Sequence, residues 1–490
     1  MSRPVSKILC LRRLRRVPAA LALCLLWNNA SLAQGGGAAP IVSLSVSPRS
    51  PRLGLDAESR LTATAQDSAK HTVPLGGRKV TWSSSDSSVV SVNPASGMLT
   101  AIGVGAAAVT AEVGGVKGSA RVTVIGWKTV TAGNDFACGI TTDGRGHCWG
   151  EQAFGDLGRE GLAGSRVPVP VSGKLEFSAV NSGLANSSCA LTSQAQAYCW
   201  GFNNEGQIGD GTKDPTGGRA TPTRVVGGLQ WIAVSGGYSY SCGVASDSVA
   251  YCWGASAFGL GNSSASASLQ PAPVEKVTRF GSISVGYSHA CGLGSGGTLY
   301  CWGDNAEGDL GNGEMQKPQQ TPAQVANVSG FAAVDAGSGF TCAVTTAKEA
   351  YCWGQNQSGQ LGNGANNSSA LPVQAKAGGA EGFTAVSAGS SHACAVAVGG
   401  VAYCWGSNQH GELGNNGTAG SNLPVRVADP ARTLPRELPV AFASLSAGQF
   451  LSCGVTTAGR AYCWGKNDDG QLGSGGSADS RRPIRVAPRP

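Results

Sequence analysis

Residues 383–414 read FTAVSAGSSHACAVAVGGVAYCWGSNQHGELG. Phe383 to Gly389 alternates apolar and small residues and ends at a glycine, the pattern of a short strand. His392 to Val398 and Val401 to Gly406 read as two more strands, and Asn408 to Gly414 as a glycine-punctuated loop. Leu423 to Val427 (LPVRV) reads as a fourth, edge-like strand that tolerates a proline and is expected to open the following unit. With Cys394 opposite Cys404, Ala395 faces Tyr403 and Val396 faces Ala402. Val398-Gly399-Gly400 is then a three-residue hairpin loop, whose last residue is expected in the left-handed conformation. Side chains alternate along a strand, so the cysteines and Val396 share one face while Tyr403 and Trp405 share the other. Both faces are apolar, as in a sheet covered on two sides.

The same unit occurs seven times. Fourteen cysteines form pairs ten residues apart: Cys138/Cys148, Cys189/Cys199, Cys242/Cys252, Cys291/Cys301, Cys342/Cys352, Cys394/Cys404 and Cys453/Cys463. Each second cysteine is followed by Trp-Gly, and successive pairs recur every 49 to 59 residues. A fixed period of this length marks a repeat architecture, and four short strands per unit is the content of one propeller blade. The expected fold is therefore all-β, a seven-bladed β-propeller over residues 127–487 behind a smaller β-sandwich. The residue opposite the Tyr is always Gly or Ala, which is expected to leave room for the ring. Opposed residues of an antiparallel pair are close enough for a disulfide, so each unit is expected to carry its own bridge, worth about 2.5–3 kcal/mol in the chain-entropy model. Nine intervening residues do not match the short Cys-x-x-Cys spacing of zinc or dithiol redox sites. Units two to seven are each preceded by a Pro-rich edge strand and unit one is not. Arg482 to Val486 (RPIRV) at the end of the chain is therefore expected to close the ring by joining the first blade.

Seventy-four glycines and only 13% charged residues suit many tight turns rather than helices. Residues 1–33 carry six basic residues, a short apolar core from Val17 to Trp27 and the small-residue site Ser31-Leu32-Ala33, the pattern of a signal peptide. Residues 34–40 (QGGGAAP) read as a flexible leader. Without residues 1–33, 30 basic residues stand against 29 acidic ones, so the overall charge of +7 belongs mostly to the signal. A broad phosphate-binding surface, and with it nucleic-acid binding, is not expected. No stretch is long and apolar enough for a transmembrane helix. The expected location is secreted, periplasmic or cell-surface, and the expected state is monomeric.

The run from VSAG through His392, the AYCWG strand and the NQHGELG loop resemble the repeats of the regulator of chromosome condensation family, over residues 127–487. The cysteine pair makes the chain similar to a secreted bacterial branch of that family. Residues 41–125, carried by VTWSSSDSSVVSVNPASGMLTAIGVGAAAVTA (80–111) and a closing strand from Ala120 to Val124, resemble a bacterial Ig-like domain of group 2, with Trp82 as core anchor. The resemblance implies a seven-bladed propeller. It also brings nucleotide exchange on a small GTPase as the family's known activity, which transfers poorly to an exported, disulfide-rich chain. Secreted relatives include an enzyme inhibitor that covers its target with one propeller face.

No catalytic, cofactor-binding or metal-binding residues stand out. His289 and His392 occupy one repeat slot near residues such as Phe136, Tyr240 and Phe340, a packing position. His147 replaces the repeat's Tyr, and His71 and His410 read as loop residues. The acidic loops Gly303-Asp304-Asn305 and Lys466 to Gly470 read as turns rather than calcium loops. The expected function is binding of an unknown extracellular protein or glycan through a propeller face, with the Ig-like domain as spacer or adhesion module. An extracellular enzyme assembled from blade loops is the alternative. Exposed aromatics on a broad face would favour binding, and converging acids and histidines would favour the enzyme.

Overall fold

A computed structural model describes residues 39–487 except 185, 216, 264–266, 278, 377 and 431–439. The expected signal segment, residues 1–33, and all but the end of the leader lie outside the described residues. The regular secondary structure of the described residues is all strand apart from two 3₁₀ turns, Ser295–Gly297 and Val398–Gly400.

Seven four-stranded antiparallel sheets, each built in sequence order, make up the propeller. Blade 6 shows the plan: Phe383–Ala388, His392–Ala397, Ala402–Gly406 and Ser421–Arg426. The first strands of successive blades are neighbours around the ring, and that of blade 1 (Trp127–Ala132) meets that of blade 7 (Phe442–Ala447), so first strands line the central channel. The hairpin register is the one the sequence implied: Cys394 opposes Cys404, Ala395 opposes Tyr403 and Val396 opposes Ala402. Every cysteine pair is disulfide-bonded within its own blade. The bridges are Cys138–Cys148, Cys189–Cys199, Cys242–Cys252, Cys291–Cys301, Cys342–Cys352, Cys394–Cys404 and Cys453–Cys463, with Cα atoms 4.0–4.1 Å apart.

Two expectations are corrected. The Pro-rich strand does not open the next unit. It pairs with the third strand of its own unit, as Tyr403 with Arg426. Every second cysteine therefore has a neighbour on its other side as well. Cys148 opposes Val169, Cys199 opposes Thr223, Cys252 opposes Ala272 and Cys301 opposes Ala323. Cys352 opposes Val373, Cys404 opposes Val425 and Cys463 opposes Ile484. The C-terminal strand Ser480–Arg485 accordingly completes blade 7, and blade 1 has its own outer strand, Ser165–Pro170. A repeat read from sequence has no natural start, and a strand separated from its partner by a long loop was assigned to the nearer neighbour. Secondly, the small residue opposite the Tyr makes room for a different ring. A Cβ on Gly243, Gly292 or Gly454 would lie 2.6–2.8 Å from the side chains of Trp231, Phe280, or Phe442 and Leu445. In each case the aromatic opens the first strand and passes under the hairpin.

The ring closes by bonds repeated at every blade junction. At the end of each first strand, one side chain accepts a hydrogen bond from a backbone N–H of the next blade. Thr131, Asn181, Ser235, Ser284, Asp335 and Ser387 take those of Ser182, Gly236, Val285, Ala336, Ala388 and Ala447, all at 2.9–3.0 Å. Ser446 then takes the N–H of Ala132 at 3.0 Å, completing the circle. Further out, the buried Trp of each third strand packs against the preceding blade, worth roughly 4–6 kcal/mol of burial per indole. Trp149, at the closing junction, donates its indole N–H to the Gln471 carbonyl at 2.9 Å, and five other blades repeat that bond. The following glycine is fixed by the same packing. Gly406 has φ 105°, and a Cβ there would lie 2.5 Å from the Ser391 carbonyl oxygen.

Residues 41–125 form three small sheets around Leu44, Val46, Trp82, Val90, Leu99, Val109 and Val122, with Trp82 buried as expected. This unit sits across the junction of the first and last blades. Asp56 pairs with Arg460 (2.7 Å) and Arg485 (2.5 Å) of blade 7, and Arg52 pairs with Asp143 of blade 1 (2.6 Å). Gly126 is the crossing point: a Cβ there would meet Val104 at 2.5 Å and the Gly459 carbonyl oxygen at 2.9 Å.

Candidate functional site: the loop-bearing mouth

With four strands running up and down, the turns between first and second strands emerge at the same end as the long loops between third and outer strands. The cysteine hairpins emerge at the other end, where the Ig-like unit docks. Seven equivalent backbone bonds of 2.7–3.0 Å, such as Asp304 N–H to the Ser288 carbonyl and Lys466 N–H to the Phe450 carbonyl, join the two loop sets into one face. The loops are held from below. In blade 6, the Asn408 amide donates to the carbonyls of Gly417 and Ala419 while its oxygen accepts the Leu413 N–H. This is why the NQHGELG pattern recurs.

The disulfides take no direct part in this face. Cys148, Cys199, Cys252, Cys301, Cys352, Cys404 and Cys463 are completely buried on the third strands, and their partners on the second strands are at most 1% exposed. They hold the blades that carry the loops and offer no sulfur to a ligand.

At the channel rim, the position after the turn glycine is Asn134, Leu184, Tyr238, Tyr287, Ser338, Ser390 and Gln449 in turn. Only the two tyrosines are exposed, at 42% and 40%. They stack on each other across the junction of blades 3 and 4, with ring centroids 4.2 Å apart and planes 24° apart. Nothing in the linear sequence joins them, because 49 residues separate them.

The histidines of the repeat slot face inward. His289 Nε2 lies 2.8 Å from the Thr341 hydroxyl, which donates to the Asp309 carbonyl at 2.9 Å. That hydroxyl hydrogen is committed, so the histidine Nε2 is the donor. His392, Ser452 and the Glu412 carbonyl repeat the chain. Burial pushes both imidazoles down to about 4. They are junction pins, in keeping with a packing slot. Among the described residues, Tyr240 in the same slot has no partner for its hydroxyl, and neither does the Trp302 indole N–H. The causes are local. Ala290 replaces the hydroxyl residue, and the blade 3 loop (255–261, ASAFGLG) lacks the residue whose carbonyl the other tryptophans reach.

That missing residue is Gln207, Gln360 and Gln471 in three blades but Asp156, Asp309 and Glu412 in three others. Burial raises Asp156 to about 7. Burial, with Asp304 and Glu307 nearby, raises Asp309 to about 8. A slot shaped for a neutral amide thus favours the protonated acid. In the channel, Asp335 accepts from the hydroxyls of Ser284 and Ser387, each at 2.9 Å, as well as from Ala388 N–H. Burial still raises its carboxyl despite these three donors.

Two ion pairs lie elsewhere on this face. Lys466 bonds Asp135 (2.9 Å) and lies over Phe450, and His410 bonds Asp479 (2.9 Å). His71 lies in the Ig-like unit, and His147 packs against Trp127. Among the described residues, no group of three or more His, Cys, Asp or Glu is placed to hold a metal ion, and no helix is long and apolar enough to cross a membrane.

These features define a class: a disulfide-stapled propeller with one open, loop-built face and a sandwich docked at the opposite end. The chain belongs to the regulator of chromosome condensation (RCC1) repeat family, whose two repeat models match segments from 177 to 244 and from 282 to 490. A bacterial Ig-like domain (group 2) model matches residues 40–124. The ultraviolet-B receptor UVR8 of Arabidopsis thaliana is 28% identical over 335 residues, 67% of this chain and 73% of that protein. The human E3 ubiquitin-protein ligase HERC2 is 29% identical over 353 residues, but the match spans 71% of this chain and only 6% of that protein. Among solved structures, human WBSCR16 superposes with a TM-score of 0.62 at 20% identity, covering 70% of this chain and 94% of that one. Yeast RCC1 (Prp20), solved bound to Kap60, gives 0.61 at 20%, covering 70% and 83%. These superpositions carry the fold. A propeller of this family supports a protein-interaction role.

Proposed function

We propose that this chain is an exported binding protein that holds a protein partner on the loop-bearing face of its propeller, without catalysing a reaction. The exposed Tyr238–Tyr287 stack carries this reading. Large aromatic surface left in water at the centre of a broad face is a common anchor of protein interfaces. The Ig-like unit, proposed as a separate domain over residues 41–125, docks at the other end and leaves this face open. Seven disulfides within blades and an Ig-like domain fit a place outside the cytosol, and the signal pattern of residues 1–33 would take the chain there. The repeat-slot histidines His289 and His392 are spent at blade junctions.

The test uses the double variant Tyr238→Ser/Tyr287→Ser, which installs the residue blades 5 and 6 carry at this position. Quantitative capture from extracellular material should lose one protein species relative to the unaltered chain while the unfolding temperature stays the same. Identical captured sets would refute the reading, and loss of a glycan instead would redirect it.

A further inference from the structure

Resting on that loop-face reading, we propose that the tyrosine stack and the blade 4 loop together receive an arginine-bearing segment of the partner, with a guanidinium lying on a tyrosine ring and paired with Asp304 and Glu307. The stacked rings cover one face of each other while both residues stay exposed, so aromatic surface remains for a flat cation to lie on. Asp304 is tied to the same turn: its N–H bonds the carbonyl of Ser288, the residue after Tyr287. Among the described residues, its carboxylate accepts from the N–H groups of Asn305 and Ala306, and Glu307 accepts the Ser368 hydroxyl. Neither forms an ion pair among the described residues. Residues 304–317 hold Asp304, Glu307 and Glu314 besides the buried, protonated Asp309, and their one lysine, Lys317, is bound to Glu314 at 2.9 Å.

Polar atoms beneath the loop are also left open. Tyr240 Oη and Asp309 Oδ1 are buried without partners, and the Asp304 charge reaches both. Acids without an ion pair among the described residues therefore sit on the loop that is tied to the turn carrying the exposed Tyr287. By contrast, Asp135 already holds Lys466, Glu205 holds Lys213 and Asp210 holds Arg219. Arginine fits better than lysine because its planar guanidinium both stacks on a ring and presents paired donors to a carboxylate.

The probe is an end-blocked hexaarginine peptide titrated by calorimetry into the full exported chain, with hexaglutamate as the opposite-charge control. Hexaarginine should bind and hexaglutamate should not. Tyr238→Ser/Tyr287→Ser and Asp304→Asn/Glu307→Gln should each weaken binding about tenfold. Asp468→Asn/Asp469→Asn, on the blade 7 loop of the same face, should leave it unchanged. Asp304→Asn keeps the oxygen that accepts the two local N–H bonds, so the loop is preserved. Absent binding, or binding equally sensitive to the blade 7 pair, overturns the proposal. If the tyrosine variant still loses its captured partner in that case, the loop-face reading stands and only the cation falls.

Discussion

The Ig-like unit should stabilise the propeller by clasping the junction where the ring has no covalent continuity. Asp56→Asn isolates this effect. Asp56 has φ 64°, a conformation asparagine tolerates, so the substitution removes charge with little change of shape or backbone strain. Burial opposes its ionisation, but Arg460 and Arg485 outweigh that and hold the carboxyl below its ordinary range. Both ion pairs are partly exposed, with side-chain accessibilities of 27–37%, so solvent screening limits each to about 0.2–1 kcal/mol. Together they are worth about 1 kcal/mol at low salt, a fall of about 1–3 °C in unfolding temperature for a domain of this size. A depressed folded-state pKa gives stability that is present above the unfolded value of about 3.9 and lost as pH falls through the folded value. Calorimetric scans of both proteins at pH 7 in 20 mM and 1 M salt, and again near pH 3, provide the assay. The difference should shrink at 1 M salt, where the screening length is about 3 Å, and in acid. A difference that is absent at low salt, or unchanged at 1 M, would refute the clasp.

Three further outcomes follow from the geometry. Ala195, Ser248 and Lys348 hold φ of 59–69° at the hairpin position where the other four blades use glycine. Replacing all three with glycine should add about 1–2 kcal/mol, since relief of left-handed strain exceeds the added chain entropy, and denaturant unfolding would read it as a higher midpoint. Asp309, with its folded pKa raised to about 8, contributes stability that is present below pH 4 and lost as pH rises through 8. Asp309→Asn should therefore match the unaltered protein near pH 4 and gain on it at up to about 1.4 kcal/mol per pH unit toward pH 8. Mass spectrometry of a non-reduced digest should show seven bridges, each within one unit. Bridges between units, such as Cys148 to Cys189 or Cys301 to Cys342, would contradict the hairpin register.

The fold was legible because its determinants are local. Cys394, Tyr403 and Trp405 fix register, face and hairpin within twelve residues, and sevenfold repetition confirms the pattern. The outer strand was misassigned because Leu423 to Val427 lies closer in sequence to the next unit than to its partner across the Ser407–Gly420 loop. The ring under the hairpin differs from the expected one for a related reason, since Phe280 reaches beneath Gly292 only through three-dimensional packing. The histidine slot was readable by comparing units. The tyrosine stack was not, since Tyr238 and Tyr287 occupy a position that holds Ser, Gln, Asn or Leu elsewhere. Only the ring geometry brings two adjacent blades' rim residues into contact. The lone acids Asp156 and Asp309 hid in the same way, as variants of a glutamine slot whose burial the sequence does not display.

The central claim is that the partner sits on the loop-bearing face. A photo-crosslinking amino acid placed at position 238, or at 347 on an exposed cysteine hairpin at the opposite end, tests it directly in the producing cells. Irradiation should yield a discrete heavier adduct from position 238 and none from position 347. An adduct from 347 with none from 238 would contradict the account.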